Sequence, residues 1–240
     1  MYPFYAALYE ANCAVMDKGP DGCVTGSEIA AKVRETGARA VVFSNPCNPT
    51  SLGMARAEVR ALVRDTEALV ILDEAYMDFW DQSLLGEVED YDNLVILKTC
   101  SKALGLANIR LGFAVANARI TDALRAVKSP YNVNGVSAVI GAAVLEDRAY
   151  LRDAAAALTA SRAALARELE QLLACKRGAY RIYPSCTNFL YVAAPDAGLV
   201  FERLKARGII VRRLGSHLRI TAGSEAENAA LVAALDGILD

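Results

Sequence analysis

Four short apolar runs recur through the first half of the chain: ARAVVFS at 38–44, ALVIL at 68–72, LVIL at 94–97 and GFAVA at 112–116, each followed by a polar loop. Continuous runs of this length predict strands covered on both faces, as in a parallel sheet. A helix capped by Ser27 and closed by Gly37 is expected before the first run. Between the first two runs, Val59, Leu62 and Val63 fall on one helix face. The repeating unit is strand, loop, helix, strand. From about Glu146 the texture becomes Ala-rich, with Leu151, Leu158, Leu165 and Leu172 seven residues apart and Gly178 as the stop. That pattern predicts a long helix joining two domains, with a coiled coil as the alternative. Strand-like segments RIYPS, NFLYVAA, GIIVRRL and HLRIT follow, interleaved with a helix near 197–207. A capping box of Ser224 and Glu227 opens a last helix. The fold class is α/β: a mostly parallel sheet in a large domain, residues 1–147, and a small C-terminal α+β domain, residues 148–240.

Composition narrows the functions open to such a fold. A chain of 240 residues can bury a substantial core. With 26 basic and 28 acidic side chains the formal charge is −2, so no whole-surface attraction for nucleic acid or an anionic membrane is expected. No apolar run approaches the roughly 18 residues of a membrane span. The opening MYPFYAALYEANCAVMDK has no basic residue before Lys18, so no signal segment is expected. Six cysteines without a C-x-x-C pair read as reduced thiols of a cytoplasmic protein. His217 is the only histidine; a packing role is expected for it, and no metal site.

In α/β sheets ligands bind beyond the carboxyl ends of the strands. Three loops stand there: NP-x-NPT at 45–50, DEAY at 73–76, and SK-x-x-GLA-x-x-R-x-G at 101–112; LRIT-x-G at 218–223 lies further on. Together they resemble the fold-type I pyridoxal 5′-phosphate (PLP) enzymes of the class I/II aminotransferase family. The resemblance covers essentially the whole chain and is closest to the histidinol-phosphate aminotransferase branch and its threonine-phosphate decarboxylase relatives.

The resemblance implies a role for each motif residue. Lys102 would form the Schiff base with the cofactor aldehyde; it follows a buried strand and a small-residue turn, where a desolvated amine can lose its proton. Asp73 would keep the pyridine nitrogen protonated and the ring an electron sink. Asn48 and Tyr76 would hydrogen-bond the ring hydroxyl oxygen. Arg110, with the Thr99 and Ser101 hydroxyls, would hold the cofactor phosphate. Arg219 would bind the acidic end of the substrate, because an arginine within an apolar strand needs an anion. Arg212 or Arg213 would add a second cation. Tyr183 and Ser185–Phe189 are given a packing role. The plain alternatives are a surface lysine, a helix-capping aspartate and turn hydroxyls.

Three positions depart from the family pattern: Cys47 stands where asparagine is usual, and Ser51 and Asn108 where glycine is. Family members also carry an N-terminal stretch ahead of the point where this chain begins, which supplies a Gly-rich phosphate loop and the first strand. The aromatic residue that stacks on the cofactor ring falls among Tyr2, Phe4 and Tyr5. The activity implied is PLP-dependent transamination of histidinol phosphate with a 2-oxo acid, 2-oxoglutarate, in a cytoplasmic homodimer. The alternatives are threonine-phosphate decarboxylation and a truncated, non-catalytic remnant.

Overall fold

The computed structural model describes residues 2–19, 21–176 and 178–239. A short helix, α1 (Tyr2–Leu8), leads to α2 (Gly26–Thr36) and then to β1 (Ala40–Ser44), α3 (Arg56–Arg64), β2 (Leu69–Asp73), β3 (Leu94–Thr99) and β4 (Gly112–Ala116). Thr25, not Ser27, caps α2: its hydroxyl accepts the Glu28 N–H while the Glu28 carboxylate accepts the Thr25 N–H, the reciprocal bonding of a capping box. Gly37 ends the helix at φ 62°, as its position suggests. On α3 the buried residues are Val59, Leu62 and Val63, the predicted face.

The first sheet has the order β1-β2-β3-β4. β1, β2 and β3 run parallel, and β4 returns antiparallel to β3 with Thr99 opposite Gly112. The expectation that GFAVA is a parallel strand covered on both faces is therefore corrected. The β3–β4 connection contains only a 3₁₀ turn (Ala107–Ile109) and no crossover helix, so the chain doubles back. β4 is an edge strand with Gly112, Phe113 and Ala114 exposed. Gly112 is required there, since a Cβ would lie 2.9 Å from the Lys98 carbonyl.

α4 (Ala118–Val127) and α5 (Gly135–Glu146) precede the long α6 (Arg148–Ala174). α6 ends before Gly178: the N–H of its C-cap, Cys175, bonds the Leu172 carbonyl and the Lys176 N–H the Leu173 carbonyl, i→i−3 bonds that tighten the last turn. Its leucine seam serves two cores. Leu151 and Leu158 pack with Tyr76, Cys100 and Phe189, whereas Leu165, Leu169 and Leu172 pack under the second sheet. The seam is thus filled within the chain, and the coiled-coil alternative falls.

Beyond α6 come β5 (Arg181–Ile182), β6 (Phe189–Ala193), α7 (Ala197–Ala206), β7 (Arg212–Leu214), β8 (His217–Thr221) and α8 (Glu225–Asp236), the last opened by the Ser224–Glu227 box. The second sheet is antiparallel, in the order β5-β6-β8-β7. Leu190, Val192, Leu218 and Ile220 face α6, α7 and α8 in its core. The period of two then turns Tyr191, His217 and Arg219 to the opposite face. His217 stacks on Tyr191 with ring centroids 4.5 Å apart and planes 3° from parallel. All six cysteines are free. Among the described residues, no helix is long and apolar enough to cross a membrane.

Candidate active site

The site is built from the loops at the carboxyl end of the first sheet and one strand of the second. Asp73 closes β2, and its Oδ1 accepts the Ala75 N–H at 3.0 Å, which fixes the carboxylate across the turn. Its Oδ2 accepts the phenol of Tyr2 at 2.7 Å. Of the three aromatic residues left open near the start, Tyr2 is thus the one that reaches the site; Phe4 and Tyr5 are exposed. Tyr76 is buried edge-on against Phe189, with ring centroids 5.2 Å apart. The Lys102 ammonium lies 5.3 Å from the Tyr76 ring centroid, and among the described residues it makes no ion pair.

The loop after β1 is tied shut by Asn45, whose side chain accepts the Met54 N–H and donates to the Met54 carbonyl at 2.7 and 2.9 Å. The Asn45–Pro46 and Asn48–Pro49 peptide bonds are cis. Ser51 sits at φ 61°, a left-handed conformation that glycine adopts without cost, which accounts for the glycine usual at this position. Its serine is held by a contact a glycine lacks, the hydroxyl donating to the Pro184 carbonyl at 2.9 Å, and its backbone carbonyl accepts the Cys186 N–H at 2.8 Å. The loop is thereby stitched to the segment before β6. Burial raises the Cys47 thiol, but hydrogen bonds from the Lys18 ammonium and Thr50 outweigh it and hold the thiol below its ordinary value.

Asn48 meets Arg219 across 171 residues of sequence, with Arg219 Nη1 donating to Asn48 Oδ1 at 2.8 Å. The Arg219 guanidinium lies 5.1 Å from the Phe189 ring centroid, and its Nε is buried without a partner. Arg212 stands directly opposite Arg219 in the β7–β8 pairing. Two like charges opposite each other are unfavourable unless an anion joins them.

The predicted phosphate group is only partly assembled. The Thr99 hydroxyl accepts the Ser101 N–H at 3.1 Å, so these two residues form one turn. The Arg110 side chain is exposed and donates to the Ala107 carbonyl of its own loop at 2.8 Å, without contacting either hydroxyl. A cavity of about 590 Å³ opens between β3, β4 and α6, but of the predicted residues only Thr99 lines it.

One residue escaped the sequence reading: Glu74, fully buried, whose carboxylate accepts the Ser83 hydroxyl at 2.6 Å and lies 3.8 Å from the Lys98 ammonium. Lys98 in turn pairs with Asp78 at 2.6 Å. Glu74 thus clamps the end of β2 to the end of β3, beneath Asp73 on one side and the turn leading to Lys102 on the other. Burial pushes its carboxyl above the ordinary value, against the pull of Ser83 and Lys98. Its signal in the sequence is an acidic residue directly after a strand whose alternation turns it inward.

Lys102, Tyr76, Phe189, Arg219 and Asn48 are thus joined by a chain of contacts, next to loops at the carboxyl ends of parallel strands, where α/β proteins bind ligands. Residues 2–235 match the family model of aminotransferase class I and II, and the chain belongs to that family. It is 40% identical over 249 residues to histidinol-phosphate aminotransferase 2 of Rhizobium meliloti, covering 99% of this chain and 68% of that protein. To the histidinol-phosphate aminotransferase of Clostridium kluyveri it is 35% identical over 206 residues, covering 84% of this chain and 57% of that protein. The chain therefore spans between about half and two thirds of the length of these relatives. Its fold superposes on histidinol-phosphate aminotransferase from Sinorhizobium meliloti, solved with pyridoxal-5′-phosphate, with a TM-score of 0.89 at 23% identity, covering 99% of this chain and 67% of that one.

Proposed function

We propose that this chain carries the catalytic machinery of a PLP-dependent aminotransferase, with histidinol phosphate as amino donor and 2-oxoglutarate as acceptor. Arg219 carries the reading: its buried, unpartnered Nε calls for an anion, and Arg212 opposite supplies the second cation that a phosphate prefers. The relatives' names point to the same substrate.

The residues present fit the cofactor. Asp73 Oδ2 already takes a hydrogen-bond donor, as it would take a protonated ring nitrogen. Asn48 and Tyr76 stand ready for the ring hydroxyl oxygen; the Tyr76 hydroxyl has no hydrogen-bond partner among the described residues. Thr99, Ser101 and Arg110 would hold the phosphate, with Arg110 leaving its own loop carbonyl to do so. When bound, PLP supplies an aldehyde that condenses with amines and a ring that withdraws electrons from the substrate α-carbon.

The chain's own residues do the rest. Lys102 Nζ would hold the cofactor through its aldehyde, and as a free amine it would take the proton from the substrate α-carbon as general base. Asp73 holds the ring-nitrogen proton in place. Arg219 orients the substrate by its acidic group, and its bond to Asn48 ties that orientation to the ring. Residues 1–147 form the large PLP-binding domain and 148–240 the small one, and the working unit is a homodimer.

The test is a visible spectrum with added PLP, before and after borohydride, followed by peptide mapping and an assay of glutamate formed from histidinol phosphate and 2-oxoglutarate. A pyridoxyl group on Lys102 and glutamate formation are expected. Labelling elsewhere would overturn the role of Lys102, and carbon dioxide release from threonine phosphate in place of transamination would move the assignment to the decarboxylase.

A further inference from the structure

The strand register lays one row of side chains across the second sheet. Tyr191 of β6 and Arg212 of β7 each stand directly opposite Arg219 of β8, so all three project from the face turned away from the helices. Arg213 pairs with Leu218 and belongs to the other face. Tyr191 is held in a cluster of rings: His217 stacks on it with centroids 4.5 Å apart and planes 3° from parallel, and Tyr183 packs against it at 5.4 Å. Two members of the row reach the loop after β1. Arg219 donates to Asn48, and the Tyr191 phenol lies within electrostatic reach of the Cys47 thiol next to it in sequence. Burial, ahead of Tyr183 and Cys47, raises that phenol above its ordinary value, so it keeps its proton through the neutral range. Yet among the described residues its hydroxyl has no hydrogen-bond partner, and no carboxylate stands on this face of the four strands.

Resting on the reading of Arg219 as the anchor of the substrate's acidic group, we infer that Tyr191 is the third donor of that site: its hydroxyl binds a phosphate oxygen beside Arg219 and Arg212 and selects a phosphate monoester over the free alcohol. A phosphate near neutral pH carries close to two negative charges on three acceptor oxygens, more than two guanidinium groups satisfy. A neutral hydroxyl adds a charge-assisted bond without a third positive charge to repel the arginines when the site is empty. His217 does not touch the substrate. It is a positioning residue, whose stack fixes the plane of the Tyr191 ring and spares the cost of ordering it on binding.

Tyr191→Phe keeps the ring and the stack and removes only the hydroxyl. Calorimetric titration of the PLP-loaded protein with inorganic phosphate reads the site directly, since PLP fills its own phosphate subsite. Tyr191→Phe should weaken phosphate about tenfold, the size of one hydrogen bond to a charged group, and lower kcat/KM for histidinol phosphate by the same factor but for histidinol by no more than about twofold. His217→Ala should weaken phosphate in the wild-type background but not in Tyr191→Phe, and His217→Phe, which restores a stacking ring, should recover the affinity. Unchanged phosphate affinity in Tyr191→Phe, or an equal loss with both compounds, overturns the donor role; the reading of Arg219 then stands if Arg219→Ala abolishes phosphate binding. An equal loss from His217→Ala in both backgrounds overturns its positioning role alone. A wild-type protein that binds no phosphate overturns the donor role and the reading of Arg219 together.

Discussion

Replacing Glu74 by alanine tests whether the site loops are held from beneath. The carboxylate is fully buried, accepts the Ser83 hydroxyl at 2.6 Å and the Leu84 N–H at 3.4 Å, and lies 3.8 Å from Lys98. Removing one partner from a buried charged cluster costs about 3–5 kcal/mol. Lys98 retains Asp78 at 2.6 Å and its side chain is 18% exposed, so the lower end applies, about 3 kcal/mol. For a chain of this size that lowers the melting temperature by roughly 6–12 °C. Glu74→Gln keeps the shape and an acceptor for Ser83 and should lose much less. The pH dependence separates the two effects. Because the folded carboxyl is raised, the folded state binds more protons than the unfolded chain, so wild-type stability falls as pH rises above the ordinary value of about 4.5. Glu74→Gln lacks that decline, so its stability relative to wild type must improve as pH rises. Thermal unfolding by circular dichroism at a series of pH values measures both. A loss below about 1 kcal/mol for Glu74→Ala would refute the clamp, and so would a pH trend of the opposite sign.

Three further outcomes follow from the site. Asp73→Ala should leave the fold nearly intact and lower turnover by orders of magnitude, since ring protonation is lost; near-normal turnover would remove its role. Arg219→Ala should abolish substrate binding, and Arg212→Ala should weaken histidinol phosphate far more than histidinol. Competition between those two compounds decides it, and equal use of both by the wild type ends the phosphate reading. Finally, α5 is apolar on all sides yet buries only Ser137 and Gly141, and Val136, Val139 and Tyr131 nearby are exposed. Such a helix should be covered by a second copy of the chain, and sedimentation showing a stable monomer at high concentration would count against the homodimer.

Much of the scaffold was legible because burial leaves a local periodic trace. The apolar runs became β1, β2 and β3, the face of Val59, Leu62 and Val63 went inside, and the Ser224–Glu227 box opened its helix and Gly37 closed its own where the residues suggested. The order of the loops at the strand ends was legible for the same reason, since parallel strands deliver their carboxyl ends to one side. Thr25 displaced Ser27 as the α2 cap because the decisive feature is which hydroxyl stands three residues before a glutamate, and Glu28 follows Thr25 at that distance.

What the periodicity does not carry is who meets whom across the fold. GFAVA reads as a covered strand, but its direction and exposure depend on the connection from β3 and on what lies beyond the edge. Arg110 belongs to the most specific motif, yet its guanidinium turns to its own loop. Glu74 reads as one more loop carboxylate until Ser83 and Lys98 arrive against it. Tyr2 reaches Asp73 over 71 residues and Arg219 reaches Asn48 over 171. Hydrophobic pattern records which face of each element leaves water, a property of a few neighbouring residues. A hydrogen bond between distant side chains exists only once packing has brought two such elements within about 3 Å, so it is decided by the tertiary structure alone.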